Sequence, residues 1–225
     1  APDGTFNGKA WLDDDGNGGE PVLIKAEVVI NDDQIIVDFK GSSEQVRTNL
    51  NSPFASSVSS AIACIKAVLT DPDIPFNEGA ERAISVKIPY GSILNPKPPA
   101  PVRARLIPSY RVVNAVMGAL SKAVPERVIA PGFDTTSVSC LSHRQETGYN
   151  IYLEIFGGGF GAGPNNDGCD AVDSMLSNCS NIPIESMESD YPFFRVEDYS
   201  LRSTSGGDGK NRGGMGFQRI YKILT

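Results

Sequence analysis

A chain of 225 residues and 24.0 kDa can bury a sizeable core without disulfide support. Its composition, 40% hydrophobic and 21% charged, excludes wholesale disorder and a collagen-like fibre, and the absence of any run of eighteen apolar residues excludes a membrane-spanning helix. The formal net charge of -7 comes entirely from residues 1–45, which carry ten acidic and three basic groups. The remaining residues balance, with no basic stripe, so neither nucleic acid nor an acidic membrane surface is expected as a partner.

Residues 13–20 form a polar, glycine-rich turn. An apolar strand over 21–30, a tight turn at Asn31-Asp32-Asp33 and a second strand over 34–39 read as an antiparallel hairpin. Asn51-Ser52-Pro53 then precedes a helix whose Phe54, Val58, Ala61, Ile62, Ile65, Val68 and Leu69 recur at three- and four-residue steps. Asp71-Pro72 stops it. A short strand over 83–88 is followed by the proline-rich stretch 95–101, an extended segment suited to a linker or to the wall of a groove. A second helical pattern runs from Tyr110 to Lys122 and ends before Pro125. Strands are expected over 136–141 and 149–156, with a polar turn over 142–148 between them, and again over 193–201 and 217–224. The expected class is α+β: a mainly antiparallel sheet with two or three packed helices and glycine-rich loops. The expected division is a strand-hairpin and helix region over 1–130 and a glycine-rich β region over 131–225.

Several motifs invite a chemical reading. Asp13, Asp15, Asn17 and Gly18 imitate the opening of a calcium loop, but its last position is Ile24 rather than a bidentate Glu. Gly157-Gly158-Gly159-Phe160-Gly161-Ala162 contains the letters of a dinucleotide fingerprint. However, Gly163-Pro164-Asn165-Asn166-Asp167-Gly168 follows, where a helix should begin. Gly209-Lys210 lacks the rest of a phosphate loop, so no ATP site is expected in this chain. The glycine block itself needs a cause: either positive backbone angles beside a sheet, or close approach of another segment or a ligand. The same holds for 205–209 and 212–216.

The stretch Asn178 to Glu188 places two amides and two carboxylates within eleven residues. If Pro183 opens a helical turn, Glu185 and Glu188 share a face, where they could divide acid and base roles, bind a hard metal, or cap backbone amides. Asp167 and Asp170 carry the same alternatives. His143, the single histidine, stands in the polar turn without an evident orienting partner. The four cysteines, Cys64, Cys140, Cys169 and Cys179, form no C-x-x-C pair and read as reduced thiols of a cytoplasmic protein. Asn178-Cys179-Ser180 matches the glycosylation sequon, with nothing else pointing to secretion.

Taken in order, these motifs resemble those of the hydantoinase B family, whose members include subunits of N-methylhydantoinase, 5-oxoprolinase and acetone and acetophenone carboxylases. The resemblance runs through Leu12 to Gly16, Val37 to Ser42, Asn49 to Pro53, Asp73 to Gly79 and Pro89 to Pro96. It is strongest at Gly157 to Ala162, Asp167-Gly168, Asn178 to Glu185 with Glu188, and Ser205 to Gly216. The resemblance implies the C-terminal portion of a B-type subunit of an ATP-dependent cyclic-amide hydrolase, inactive in isolation. The alternatives are part of a ketone carboxylase or a purely structural assembly module.

The chain starts Ala1-Pro2-Asp3-Gly4 without an initiator Met, which fits a piece of a longer subunit. The implied partners are the N-terminal half of the B subunit, an A-type ATPase subunit and a small cyclic amide. ATP and Mg would sit on the ATPase partner and a divalent metal in the N-terminal half, with none held here. Asp167, Asn178, Asn181, Glu185 and Glu188 are the motif residues carried over as candidate site residues.

Overall fold

The computed structural model describes residues 1–177 and 182–224. The chain divides into two compact units, Ala1–Ile129 and Ala130–Thr225.

The first unit is a four-stranded sheet in the order β1-β2-β3-β4, formed by β1 (Gly4–Leu12), β2 (Val22–Asn31), β3 (Gln34–Asp38) and β4 (Ile84–Lys87). The pairings β1·β2 and β2·β3 are antiparallel, and the expected hairpin turns at residues 32 and 33. β4 instead runs parallel to β3. The reason lies in the connection: α1 (Phe54–Leu69) and the one-turn α2 (Glu78–Glu81) separate β3 from β4, and a crossover returns a strand in the same direction. α3 (Leu106–Leu120) packs on β1 and β2 and also against α1. Ile24, Ala26, Val28 and Val37 from the sheet are fully buried, as are Val112, Val116 and Leu120 from α3. α3 begins four residues before the expected Tyr110. Pro108 lies in its first turn, where its missing amide hydrogen breaks no helical bond.

The proline-rich stretch is not a linker between the units, because it lies well inside the first. It is tied to the 45–51 loop. Lys97 donates its amide to Gln45 Oε1 at 2.7 Å, and the fully buried Asn51 amide donates to the carbonyls of Val46, Thr48 and Pro101 while accepting from Val46 N. Asn51 thus satisfies its side chain by closing a loop, a structural cause for the Asn-Ser-Pro motif. In the Asp13–Asn17 turn, Asp14 and Asp15 accept from the amides of Gly16 and Asn17, and the Asp15 carbonyl accepts the Thr48 hydroxyl.

The second unit contains two antiparallel ladders. β5 (Ser137–Gln145) pairs with β6 (Gly148–Phe156), and β7 (Phe194–Leu201) pairs with β8 (Phe217–Ile223), with a bulge between Val196 and Asp198. The expected polar turn over 142–148 shrinks to Glu146-Thr147, since β5 continues through Ser142 to Gln145. His143 is therefore a strand residue, and its ring stacks on Phe193 at 5.3 Å. α4 (Ile184–Asp190) begins directly after Pro183. Its buried Met187 joins Tyr152, Phe193 and Phe194 in a small core, against which Leu141, Tyr191, Val196 and Tyr221 pack.

Candidate functional site

The glycine block after β6 does not start a helix. It runs as an irregular segment laid against two others, the 130–133 segment and the 202–216 loop joining β7 to β8. Their backbones are cross-linked: Ala130 N donates to Ala162 O at 2.8 Å, Phe133 N to Gly159 O at 2.9 Å, Gly214 N to Phe160 O at 2.9 Å and Ala171 N to Met215 O at 2.8 Å. Side-chain-free backbone is a steric requirement of this stack. A Cβ on Gly159 would lie 1.8 Å from Gly214 O, and one on Gly214 would lie 2.0 Å from Cys169 O. Of the two causes considered for the block, close approach is the operative one. The partner is the chain itself, and none of Gly157, Gly158, Gly159 or Gly161 takes a positive φ.

The stack leaves an open groove of about 400 Å3, walled by glycine backbone together with Phe133, Phe160, Phe217, Ser205 and Arg202. Arg202 is the charged side chain lining it, and among the described residues no carboxylate lines it. Its donors suit a carbonyl or carboxylate oxygen rather than proton abstraction.

The candidate carboxylates stand elsewhere and are already engaged. Asp167 is exposed and accepts the Arg212 amide at 2.7 Å. Asp170 binds the same loop twice, through Met215 N at 2.7 Å and the Arg212 guanidinium at 2.9 Å. Those bonds, first the Met215 amide and then Arg212, hold the Asp170 carboxyl below its ordinary range. Glu188 accepts the Val196 amide at 2.9 Å, next to the β7 bulge. Glu185 lies one turn earlier on α4 and is exposed. Thus Asp167 and Asp170 converge on the 212–215 loop, whereas Glu188 serves β7, and the structure does not join the two groups. Asn178 and Asn181, with the Asn178-Cys179-Ser180 sequon, lie outside the described residues. Among the described residues no group of three or more His, Cys, Asp or Glu side chains is arranged to hold a metal. Cys64 is buried in α1, and burial pushes its thiol up to about 12.

The most unusual polar cluster was not among the sequence candidates. Glu154 on β6 is 6% exposed and pairs with the Arg219 guanidinium of β8, whose side chain is 2% exposed. Tyr152 donates its hydroxyl to the same Glu154 oxygen. The guanidinium lies over the Tyr199 ring at 4.1 Å and the Phe156 ring at 5.2 Å. Burial opposes its charge, but hydrogen bonds to Glu154 and Tyr221 outweigh burial and raise its pKa further. The available signal in the sequence was the period-two spacing of Tyr152 and Glu154, which sets a carboxylate beside an aromatic on one strand face.

This α+β architecture, a helix-covered sheet in one unit and two ladders with a stack of glycine loops in the other, has relatives of known name. The chain belongs to the hydantoinase B/oxoprolinase family, whose model matches residues 1–225. It is 33% identical over 223 residues to the caprolactamase β subunit of Pseudomonas jessenii, covering 96% of this chain and 38% of that one. It is 32% identical over 216 residues to a 5-oxoprolinase of Dictyostelium discoideum, covering 95% of this chain and 16% of that one. The crystal structure of the ATP-dependent caprolactamase from Pseudomonas jessenii superposes with a TM-score of 0.85 at 32% identity, over 99% of this chain and 39% of that chain. An acetone carboxylase structure shares the fold, with a TM-score of 0.79 at 19% identity over 99% of this chain and 32% of that chain. The chain therefore spans less than two fifths of the length of the relatives it matches.

Proposed function

We propose that this chain is the C-terminal portion of a B-type subunit in an ATP-dependent hydrolase of cyclic amides. The observation that carries the reading is the end-to-end likeness to a caprolactamase chain, at 32% identity and a TM-score of 0.85. The carboxylase likeness, at 19% identity, supports the shared fold alone. In this reading an A-type partner binds ATP and Mg, a divalent metal sits in the N-terminal part of the B subunit, and the assembly is cytoplasmic. The chemistry is coherent: a cyclic amide is a poor electrophile until ATP activates its carbonyl oxygen, after which water attacks and its proton must be taken up.

In this reading most of the chain's motif carboxylates serve structure. Asp167, Asp170 and Glu188 spend their carboxylates on backbone amides, which leaves Glu185 as the candidate carboxylate with an exposed, outward position. The test is turnover by a complete B-type subunit carrying this sequence, assembled with an A-type ATPase. ATP-coupled ring opening of hydantoin, 5-oxoproline or caprolactam is expected, and carboxylation of a ketone with no ring opening would replace the hydrolase reading. Within that assembly, Glu185→Gln separates the two roles of the chain. Loss of turnover in an intact complex makes Glu185 a participant, and unchanged turnover leaves the chain a scaffold.

A further inference from the structure

The β5–β6 ladder is inside out. Antiparallel ladders with one covered face normally turn apolar residues inward and polar ones to water. The β7–β8 ladder of the same unit follows this only in part: Phe194 is buried and the outward Glu197 and Lys222 pair at 3.3 Å, while Leu201, Ile220 and Ile223 are 47%, 48% and 52% exposed. On β6 the inward residues are Asn150, Tyr152 and Glu154, and it is the outward set that is apolar. Tyr149, Ile151, Leu153 and Ile155 are 65%, 56%, 56% and 39% exposed. Val138 of β5, 54% exposed, stands opposite Ile155, and Cys140 stands opposite Leu153. The one charge on this face, Arg144, is opposite Tyr149 at the hairpin tip. A slip of one residue would turn this set inward, yet the ladder keeps the register that exposes it.

We infer that the outward face of β5–β6 is the surface on which the remaining polypeptide of a hydantoinase B-type subunit packs. The inference rests on the subunit reading above, though not on the activity assigned to it. Two observations name the occupant. First, the solved caprolactamase chain carries this whole fold in 39% of its length, so this fold occurs there with a larger body of polypeptide. Second, the face is too small to hold a second copy of the chain by itself. A two-stranded ladder of nine residues presents roughly 30 Å by 10 Å, on the order of 300 Å2, whereas a stable interface takes about 800 Å2 from each partner. A segment that continues over neighbouring surface, or is tethered to it, escapes that limit.

Cys140 reports on the face directly, because its thiol is exposed in the middle of it. The experiment compares alkylation of Cys140 by iodoacetamide, read by peptide mass spectrometry, in the chain alone and in the complete B-type subunit assembly. Protection of at least tenfold in the assembly is expected. A Leu153→Glu variant should abolish that protection while leaving the thermal unfolding of the chain alone unchanged. Equal labelling in both samples overturns the inference, as does concentration-dependent protection in the chain alone, which would make the occupant a second copy. Labelling needs neither ATP nor substrate. An assembly that protects Cys140 yet opens no ring sinks the hydrolase reading only, and an active assembly with Cys140 freely labelled sinks this inference only.

Discussion

Gly159 shows how one absent side chain holds the second unit together. Its missing Cβ lets Gly214 O come to within 1.8 Å of where that carbon would be, a distance no backbone adjustment nearby could relieve cheaply. Gly159→Ala should therefore cost more than about 3 kcal/mol, in the class of overpacked cores. Gly207 lies in the same glycine-rich region with nothing within 4 Å of a built Cβ, and Gly207→Ala should stay within about 0.5 kcal/mol. Urea unfolding of the two variants checks the contrast, and equal losses would mean that glycine content rather than contact geometry matters. Asp170 acts on the same loops through charge. Its folded pKa lies below the unfolded value of about 3.9. Its contribution is then complete above that unfolded value and is lost as pH falls through the folded one. Asp170→Asn should be less stable than the parent at neutral pH, and the gap should close as acid protonates the parent carboxyl. A gap unchanged across the acid titration would show that the loss is not one of charge.

The Glu154–Arg219 pair joins the two ladders of the second unit, linking β6 to β8 inside an aromatic cage. Removing one partner leaves the other buried and uncompensated, so Arg219→Ala should cost about 3–5 kcal/mol. Replacing both with apolar residues, Glu154→Leu with Arg219→Met, should cost much less than the sum of the singles, because no charge is then left buried. Denaturant unfolding of the single and double variants gives the coupling, and strict additivity would show that the two side chains act independently. Elements differ in how much of this the sequence reveals. β2, β3, α1 and α4 were legible because their apolar spacing or their proline boundaries match a regular period. β1 was not: its inward residues are Gly8, Ala10 and Leu12 while Trp11 points out. Gly8 has no side chain because α3 lies directly on it, where a Cβ would meet Ala115 O at 1.9 Å. The extension of β5 through His143 was read as a turn since its residues are polar; it is held by pairing with β6, and the His143 ring stacks on Phe193. At the site, the motif residues could be named from sequence but their partners could not. Asp167 meets Arg212 across 45 residues, and Glu154 meets Arg219 across 65.

At the scale of the whole molecule, the chemistry-bearing groups and the catalytic task are mismatched. Of the described motif carboxylates, Asp167 and Glu188 hold amides and Glu185 is exposed; the groove is lined by backbone, Pro131, phenylalanine, Ser205 and Arg202, and an apolar face of the β5–β6 ladder is turned outward. In the proposed reading, a unit so arranged supplies shape and docking, and activation by phosphate falls to the partner. The sequence agrees, since Gly209-Lys210 has neither the upstream glycine nor the following Ser or Thr that a phosphate loop needs. The 225-residue chain alone is therefore expected to release no phosphate from ATP, with or without hydantoin, 5-oxoproline or caprolactam. Adding the A-type ATPase and the rest of the B-type subunit should restore both ATP cleavage and ring opening together. A malachite-green phosphate assay beside chromatography of the ring-opened acid reads the two at once. Phosphate release by the chain alone, surviving repurification and absent from a Gly159→Val preparation, would place an ATPase within these residues and overturn their assignment as a scaffold.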